Sequence, residues 1–307
     1  MKYKAVIHAS EILTGAGIRK KDGRRVVESD LGRILDGSIV YTVKKKGQVE
    51  IPDRIEWVGR TSDLPKKWAK VDTLNLRLRK AVIPGMVDCH THLIFAGDRS
   101  NEFAARCGGA TYEEIAAQGG GIRSTVRATR AASARELEKL AVSRLKELRT
   151  YGVKTVEIKS GYGLSPESEY RILSIIPSLR KKFPELTLTA TFLGAHDFPE
   201  DSTRDQYLKT LTEEMLPEVV RRKLADSCDV FVDQGYYSVT EGRSLLEYAR
   251  SLGLKIKLHG DELANLEAAA FGAEIGALSV DHLLKVSDEG IRKLAASQTV
   301  AVLLPGT

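Results

Sequence analysis

The sequence lacks an apolar run long enough to cross a membrane. A spanning helix needs about 18–20 consecutive apolar residues, and no window of the 307 residues approaches that length without charges. The opening segment, MKYKAVIHASEILTGAG, also lacks the charged start, long apolar stretch and small-residue cleavage site of a signal peptide. These absences argue against a membrane protein, and we expect a cytoplasmic one.

Cysteine is scarce, and basic residues are not concentrated in one place. The 3 cysteines, at positions 89, 107 and 228, have unrelated spacings, so we expect free thiols rather than a disulfide framework. The net charge is +6, but the basic residues are spread among many acids and form no stripe with interleaved aromatic residues. The charge therefore indicates a solvated basic surface, a mild preference for an anionic small-molecule substrate, and no nucleic-acid partner.

Two kinds of pattern divide the chain. Residues 1–80 contain short β-rich runs, with turns predicted at KKKGQ and at Asp36-Gly37, and they predict a small antiparallel, β-sandwich-like domain. From residue 81, apolar runs alternate with amphipathic stretches of about ten to twenty residues, several opened by Ser or Thr, which is typical of a parallel α/β sheet. These runs are GMVDCHTHLIF, KTVEIKSG, LTATFLGAH, CDVFVDQG, LKIKLHGDE, ALSVDHLL and TVAVLLPG.

The length of this second segment indicates a particular architecture. Residues 81–307 span most of the ~250 residues of a typical (β/α)8 barrel, so we predict a TIM-like barrel with strands one to seven. No eighth run follows, and we expect a truncated chain that also lacks the C-terminal part of the small domain. Such an opening would leave unpaired edges on strands one and seven.

Titratable side chains end almost every one of the seven runs. In a (β/α)8 barrel the C-terminal ends of the strands form the active-site face. Of the chain's 6 histidines, all but His8 fall at these ends, namely His90, His92, His196, His259 and His282. The pattern predicts an active site at that edge.

The His90-Thr91-His92 triplet predicts a metal site. Strand residues i and i+2 face the same side, roughly 6.5–7 Å apart, so both imidazoles can reach one ion. Taken alone, the pair favours two satisfied or exposed histidines, but the other strand-end histidines reverse this interpretation and favour a metal. A catalytic zinc-type site needs about three protein ligands and an open position, and His259 is the obvious third donor. Because the fourth run ends in Val232-Asp233-Gln234 rather than in lysine, we predict one divalent metal, zinc or iron.

A metal in that position would supply hydrolytic chemistry. It would lower the pKa of its water toward ~7 and polarise a carbonyl, so we expect hydrolysis of a C–N bond in a small cyclic amide. His282 is placed to orient the resulting hydroxide or to share its proton, the alternative being a satisfied core histidine. Lys159, on the second run, is predicted to be a structural or substrate-facing ammonium.

Several longer segments carry a family resemblance. AVIPGMVDCHTHLIFAGDR, GATYEEIAAQGGGIRSTV, VEIKSGYGL, TFLGAH, LHGDE, GALSVDHLL and VAVLLPGT, in this order, closely resemble the imidazolonepropionase family of the amidohydrolase superfamily. PGMVDCHTH alone indicates only the superfamily, whereas EIKSGYGL, FLGAH and VAVLLPGT are far more specific. The resemblance runs from about residue 1 to the last residue.

The resemblance implies a reaction and a set of residue roles. The reaction is hydrolytic opening of 4-imidazolone-5-propanoate to N-formimidoyl-L-glutamate in histidine degradation, with bound zinc or iron, in a homodimer. The family's metal ligands fall on His90, His92 and His259. Its substrate-contacting residues fall on Arg99, Tyr162, His196 and Glu262, with Tyr112 a weaker candidate. Glu262 could also carry protons during ring opening, and Arg99 could hold the propionate in a bidentate contact that lysine could not reproduce.

One departure from the family pattern leaves alternatives open. The family's remaining metal ligand is an Asp at the end of the eighth strand, which this sequence does not contain. The chain could therefore be a catalytically incomplete, metal-binding fragment, which sequencing past Thr307 in the parent gene would test. It could also be another amidohydrolase, such as a deaminase acting on an aminated ring, which substrate assays would test.

Overall fold

The computed structural model describes residues 2–109 and 120–306 of the chain. Over these residues the chain divides into two units between Met86 and Val87. The described part of the first unit holds one four-stranded sheet in the order β3-β2-β1-β4, built from β1 (Lys2–Leu13), β2 (Arg33–Lys46), β3 (Val49–Arg60) and β4 (Asp72–Asn75). Its helical segments are short: Ala16–Lys20, Glu28–Leu31, Thr61–Asp63 and Lys66–Trp68.

The pairing in the first sheet confirms part of the prediction. Strands β1, β2 and β3 pair antiparallel, and the KKKGQ turn lies between β2 and β3, with Gly47 at a φ of 65°. Strand β4 instead pairs parallel with β1, so the sheet is mixed rather than antiparallel throughout.

The turn predicted at Asp36-Gly37 is wrong. Both residues lie inside β2, opposite an irregularity where the pairing jumps from Val6↔Ile39 to Ala9↔Gly37. Asp36 has a φ of 42° and lies across from His8, which has a φ of 53° and an Nδ1 atom 3.0 Å from Asp36 Oδ1. Asp tolerates the left-handed region of φ better than most residues. The Asp36-Gly37 pair, which favours a turn in the sequence, is therefore part of a β-bulge in the structure.

The second unit is built on a parallel sheet, and its fold class confirms the α/β prediction. In the described residues this sheet has seven strands in sequence order, and each neighbouring pair from β6 to β11 is parallel. The strands are β5 (Met86–Asp88), β6 (Val153–Lys159), β7 (Thr187–Ala195), β8 (Ser227–Val232), β9 (Lys255–Gly260), β10 (Ser279–His282) and β11 (Val300–Leu303).

Helices connect these strands, and several begin at a Ser or Thr, as the sequence pattern predicts. Ser133, Ser165, Thr203, Ser238 and Ser287 each accept a backbone N–H as an N-cap. The α-helices are Ser100–Cys107, Ile122–Ala131, Ala134–Thr150, Pro166–Lys182, Arg204–Lys209, Leu216–Arg221, Val239–Ser251, Ala268–Glu274 and Asp288–Ala296, with a π-helical segment at Thr210–Met215. Within the part of the chain that the structure describes, no helix is both long and apolar enough to span a membrane.

The alternation of strand residues separates an apolar core from a polar interior. Ile158 of β6 and Val230 of β8 are fully buried and pack with helix residues such as Leu137 and Leu173. Consecutive strand residues face opposite sides, so Glu157 and Lys159, which flank Ile158, are turned away from that core. The same alternation places the chemistry-bearing side chains of β8, β9 and β10 on the inner face of the sheet.

Candidate metal centre and active site

The structure brings the three predicted metal ligands together. His90 and His92 follow β5, His259 lies near the end of β9, and one ligand nitrogen from each lies within 4.8 Å of the others. The ring centroids of His90 and His259 are 4.6 Å apart, and that of His92 is 5.5 Å from His90. The strand ends therefore converge as the parallel topology requires.

Each of these imidazoles is oriented through its Nδ1 atom. His90 Nδ1 lies 2.6 Å from Asp281 Oδ2, and His259 Nδ1 lies 2.9 Å from Asp229 Oδ1. His92 Nδ1 lies 3.2 Å from the Ser160 carbonyl oxygen. Carboxylate and carbonyl oxygens only accept hydrogen bonds, so each Nδ1 donates a proton, and Nε2 is the nitrogen that keeps a lone pair when a ring is neutral.

The donor set fits a zinc-type or iron-type metal. Burial, and then the charges of neighbouring histidines, hold the pKa values of His92 and His259 well below the ordinary value, which keeps both rings neutral. His259 Nε2 is buried and has no hydrogen-bond partner among the described residues. A neutral imidazole with a free Nε2 is the form that ligates zinc or iron, so these residues could hold such an ion.

The sequence pattern did not predict the two aspartates that orient His90 and His259. Asp229 and Asp281 are 0% exposed and lie within β8 and β10, two strands in which every residue is buried. An acid inside a buried strand is rare unless it has a partner, and that signal could have identified both. Lys159 is 0% exposed and paired with carboxylates, so it has the structural rather than the substrate-facing role.

The predicted substrate-contacting residues line one cavity with the histidines. Its volume is about 660 Å³, and its polar lining includes His90, His92, Arg99, Tyr162, His196, His259, Glu262 and His282. Phe231, Tyr236 and Leu263 add apolar walls that were not predicted. Tyr112, the remaining candidate, lies outside the described residues.

Arg99 presents an unused donor to this cavity. Its Nε donates to Thr125 Oγ1 at 3.0 Å, which fixes the direction of the guanidinium group. Its second terminal nitrogen, Nη2, is buried and has no hydrogen-bond partner in residues 2–109 and 120–306. A buried guanidinium nitrogen without an acceptor is suited to an anionic ligand.

His196 stacks on one of the proposed ligands. Its ring centroid is 4.7 Å from that of His92, with 12° between the planes, and its Nδ1 lies 3.0 Å from the Gly161 carbonyl oxygen. Burial lowers the pKa of His196 to about 4, so the ring is neutral near pH 7. In that tautomer Nε2 accepts a hydrogen bond, so His196 can donate to substrate only when protonated.

A buried carboxylate shapes the loop that carries Tyr162. Glu169 is 0% exposed and accepts hydrogen bonds from the backbone N–H groups of Gly161 (2.9 Å), Gly163 (2.6 Å) and Leu164 (2.9 Å). The same loop supplies the carbonyl oxygens that orient His92 and His196. Glu169 therefore fixes one wall of the cavity.

Glu262 lies on a loop held by another acid. The Asp233 carboxylate accepts from the N–H groups of Glu262 and Leu263, at 2.8 and 3.0 Å. Burial, followed by the charge of Asp233, raises the pKa of Glu262 to about 7. Glu262 can therefore gain or lose a proton near neutral pH, as general acid–base chemistry requires.

His282 lies between Glu262 and the proposed metal ligands. Its Nδ1 is 3.4 Å from Glu262 Oε1, and its ring centroid is 5.1 Å from those of His90 and His259. Burial, and then the charge of His90, lowers the pKa of His282 to about 4. Its φ of 82° is a strained conformation for histidine, which is common at functional sites.

Solved structures with the same fold define the class of protein. The chain is similar to a 5-methylcytosine deaminase from Klebsiella pneumoniae, with a TM-score of 0.61 and 15% identity over 97% of this chain and 64% of that one. It is also similar to an amidohydrolase from a Sargasso Sea environmental sample, with a TM-score of 0.59 and 18% identity over 99% and 64% of the two chains. The chain thus shares the fold of these proteins, and its second unit contributes the seven-stranded parallel sheet described above.

Sequence relatives narrow this class to one family. The chain is 54% identical over 305 residues to an imidazolonepropionase from Symbiobacterium thermophilum, covering 98% of this chain and 69% of that protein. It is 41% identical over 300 residues to an imidazolonepropionase from Bdellovibrio bacteriovorus, covering 96% and 68%. No family model matches the chain. The chain belongs to the imidazolonepropionase family.

Proposed function

We propose that this chain hydrolyses the cyclic amide C–N bond of 4-imidazolone-5-propanoate to give N-formimidoyl-L-glutamate, in histidine degradation. The observation that carries the proposal is one cavity that holds both the three converging imidazoles and Arg99 Nη2, which has no hydrogen-bond partner among the described residues. A ring with a carboxylate side chain matches that combination. The relatives named imidazolonepropionase support the same substrate.

The residues of the cavity have separate roles in the proposed reaction. His90, His92 and His259 would hold the metal, which would supply Lewis acidity to water and to the ring carbonyl. Arg99 binds the propionate carboxylate through Nη2, while Thr125 keeps the guanidinium in place. This contact fixes the ring relative to the histidines, which converts binding energy into orientation.

Proton transfer falls to two side chains. Glu262, with a pKa of about 7, can take a proton from water and return it to the departing ring nitrogen. His282, whose pKa of about 4 keeps it neutral, can accept a hydrogen bond or share the same proton. Their separation of 3.4 Å lets the proton pass between them after a small adjustment.

A substrate panel tests the proposal. The chain, loaded with Zn²⁺ or Fe²⁺, is assayed with imidazolone propanoate, a cyclic ureide and an aminopurine, and we expect turnover of the first. Arg99→Lys should raise KM and retain the metal, whereas Arg123→Lys, an exposed arginine paired with Glu200, should leave KM unchanged. Turnover of the aminopurine or the ureide alone would contradict the substrate assignment.

Elemental analysis on the same sample addresses the remaining alternatives. One zinc or iron per chain with turnover supports the enzyme, and one metal per chain without turnover of any of the three compounds supports a non-catalytic metal-binding protein. We also propose a cytoplasmic homodimer, as the family resemblance implies. Sedimentation of the purified chain tests the dimer.

A further inference from the structure

Five charged side chains lie buried beneath the histidines and form what we call the charge cluster. Its members are Glu157, Lys159, Asp229, Lys257 and Asp281, with side-chain exposures of 7%, 0%, 0%, 10% and 0%. Three carboxylates and two ammonium groups leave one net negative charge. The proposed reaction uses none of these groups directly.

Lys159 is the member that joins the others. Its Nζ lies 2.7 Å from Asp229 Oδ2, 3.2 Å from Asp281 Oδ2 and 3.1 Å from Glu157 Oε1. Burial alone would lower the pKa of Lys159, but the charges of Asp229, Asp281 and Glu157 outweigh burial and raise it above the ordinary value. The ammonium is therefore charged and placed among three acids.

Lys257 offers a natural comparison. It is buried in the same cluster, pairs with Glu157 and donates to the Cys89 carbonyl oxygen at 3.4 Å. Within the described residues it forms no ion pair with Asp229 or Asp281. The two lysines thus share a charge and a partner but differ in their contacts with the aspartates.

The two aspartates connect Lys159 to the proposed metal ligands. Asp229 uses Oδ2 for Lys159 and Oδ1 for His259 Nδ1. Asp281 Oδ2 contacts both Lys159 and His90 Nδ1, while its Oδ1 accepts from Ser279 Oγ at 2.6 Å. Two buried carboxylates without a cation between them would repel each other and turn away or take up protons.

We propose that Lys159 is a positioning residue of the metal centre, whose ammonium holds Asp229 and Asp281 where they accept the Nδ1 protons of His259 and His90. The inference rests on the proposed metal site but not on the substrate. Through the two aspartates, Lys159 would fix the ring orientation of two of the three ligands, His90 and His259. His92, oriented by a backbone carbonyl, is independent of it.

Charge and orientation make opposite predictions for the loss of Lys159. Removing a positive charge near a cation site favours cation binding by simple electrostatics. Releasing the two aspartates frees the imidazoles to rotate, and the loss of such orienting partners typically weakens metal binding about 10- to 100-fold. The direction of the change in affinity therefore distinguishes the two roles.

A pair of charge-balanced variants provides the test. Glu157→Gln with Lys159→Met, and Glu157→Gln with Lys257→Met, each remove one acid and one lysine and leave the cluster with the same net charge. The Kd values for Zn²⁺ and Co²⁺ are measured on the metal-free chain by competition with a chromogenic chelator. We expect the first variant to bind about 10- to 100-fold more weakly than the wild type, and the second to bind within about threefold of it.

Folding is monitored separately, so that loss of structure is not mistaken for loss of metal binding. Circular dichroism should give matching spectra for both double variants. If the variant Glu157→Gln with Lys159→Met does not fold, Glu157→Gln with Lys159→Gln replaces it, and we expect the same loss of metal affinity. Equal affinities in the matched variants, tighter binding without Lys159, or a wild type that binds neither ion would overturn the proposal. A wild type that binds metal but hydrolyses nothing would refute only the proposed reaction.

Discussion

Replacing Glu262 by glutamine should make the metal-free protein more stable at alkaline pH and leave its stability nearly unchanged in acid. Burial, and then the charge of Asp233, raises the pKa of Glu262 from 4.5 to about 7 in the folded chain. The folded state therefore holds this proton more tightly than the unfolded state does. The stabilisation from that proton is complete below about pH 4.5 and is lost as the pH rises to about 7.

The size of the effect follows from the shift. Each pKa unit corresponds to about 1.4 kcal/mol, so a rise from 4.5 to about 7 costs the wild type about 3 kcal/mol at alkaline pH. Glu262 keeps 24% of its side chain exposed, and solvent reduces the expected cost to about 2–3 kcal/mol. Glutamine has a similar shape and no charge to bury, so it avoids this cost.

Urea unfolding of the metal-free chain at about pH 4.5 and about pH 8.5 measures the difference. The gain in unfolding free energy from Glu262→Gln should grow by about 2–3 kcal/mol between the two pH values. Glu213→Gln, at an exposed position of the second unit, serves as the control and should give a small difference at both. A gain for Glu262→Gln that is the same at both pH values would refute the reasoning.

Three further substitutions test the site and the fold. His90→Ala should lose bound metal and activity together, as elemental analysis and the hydrolysis assay would report, and an active, metal-free variant would contradict the assignment. Glu169→Gln should lower the urea midpoint by the equivalent of about 1–3 kcal/mol, because an amide cannot replace both oxygens that accept from the loop. An unchanged midpoint would show that Glu169 does not stabilise the loop. Leu173→Ala, fully buried in the core, should cost about 2–5 kcal/mol in the same assay, whereas a cost below about 1 kcal/mol would indicate looser packing than described.

Much of the candidate site was predictable because parallel strands bring their ends together. Once the runs were read as β/α repeats, residues as far apart in sequence as His90 and His259 had to lie at one edge of the sheet. No short-range sequence pattern predicts a contact between these two histidines. The spacing of His90 and His92 then predicted that both side chains would face one ion, and they do so although both residues lie just beyond the end of β5. The substrate-contacting roles of Arg99 and Tyr162, in contrast, are implied only by the family resemblance, since loop positions carry no periodic signal.

The parts that escaped prediction share a physical cause. Asp36 was read as a turn residue because its tolerance of positive φ suits turns and bulges alike, and only pairing with β1 decides between them. Asp229 and Asp281 were read as parts of apolar runs, although buried charges inside strands require partners. Those partners come from separate strands, so their arrangement depends on tertiary contacts that a linear pattern does not contain.

The cluster of three nitrogen donors, His90, His92 and His259, also determines how the protein responds to purification. Affinity for nitrogen donors rises along the series from manganese to copper, and nickel and copper bind such sites more tightly than iron does. A nickel column used in purification, or traces of copper in a buffer, could therefore replace the ion acquired in the cell. The metal recovered with the protein would then depend on the ions that it met during purification. Preparations are therefore best made without nickel resin and reloaded with one defined ion before assay.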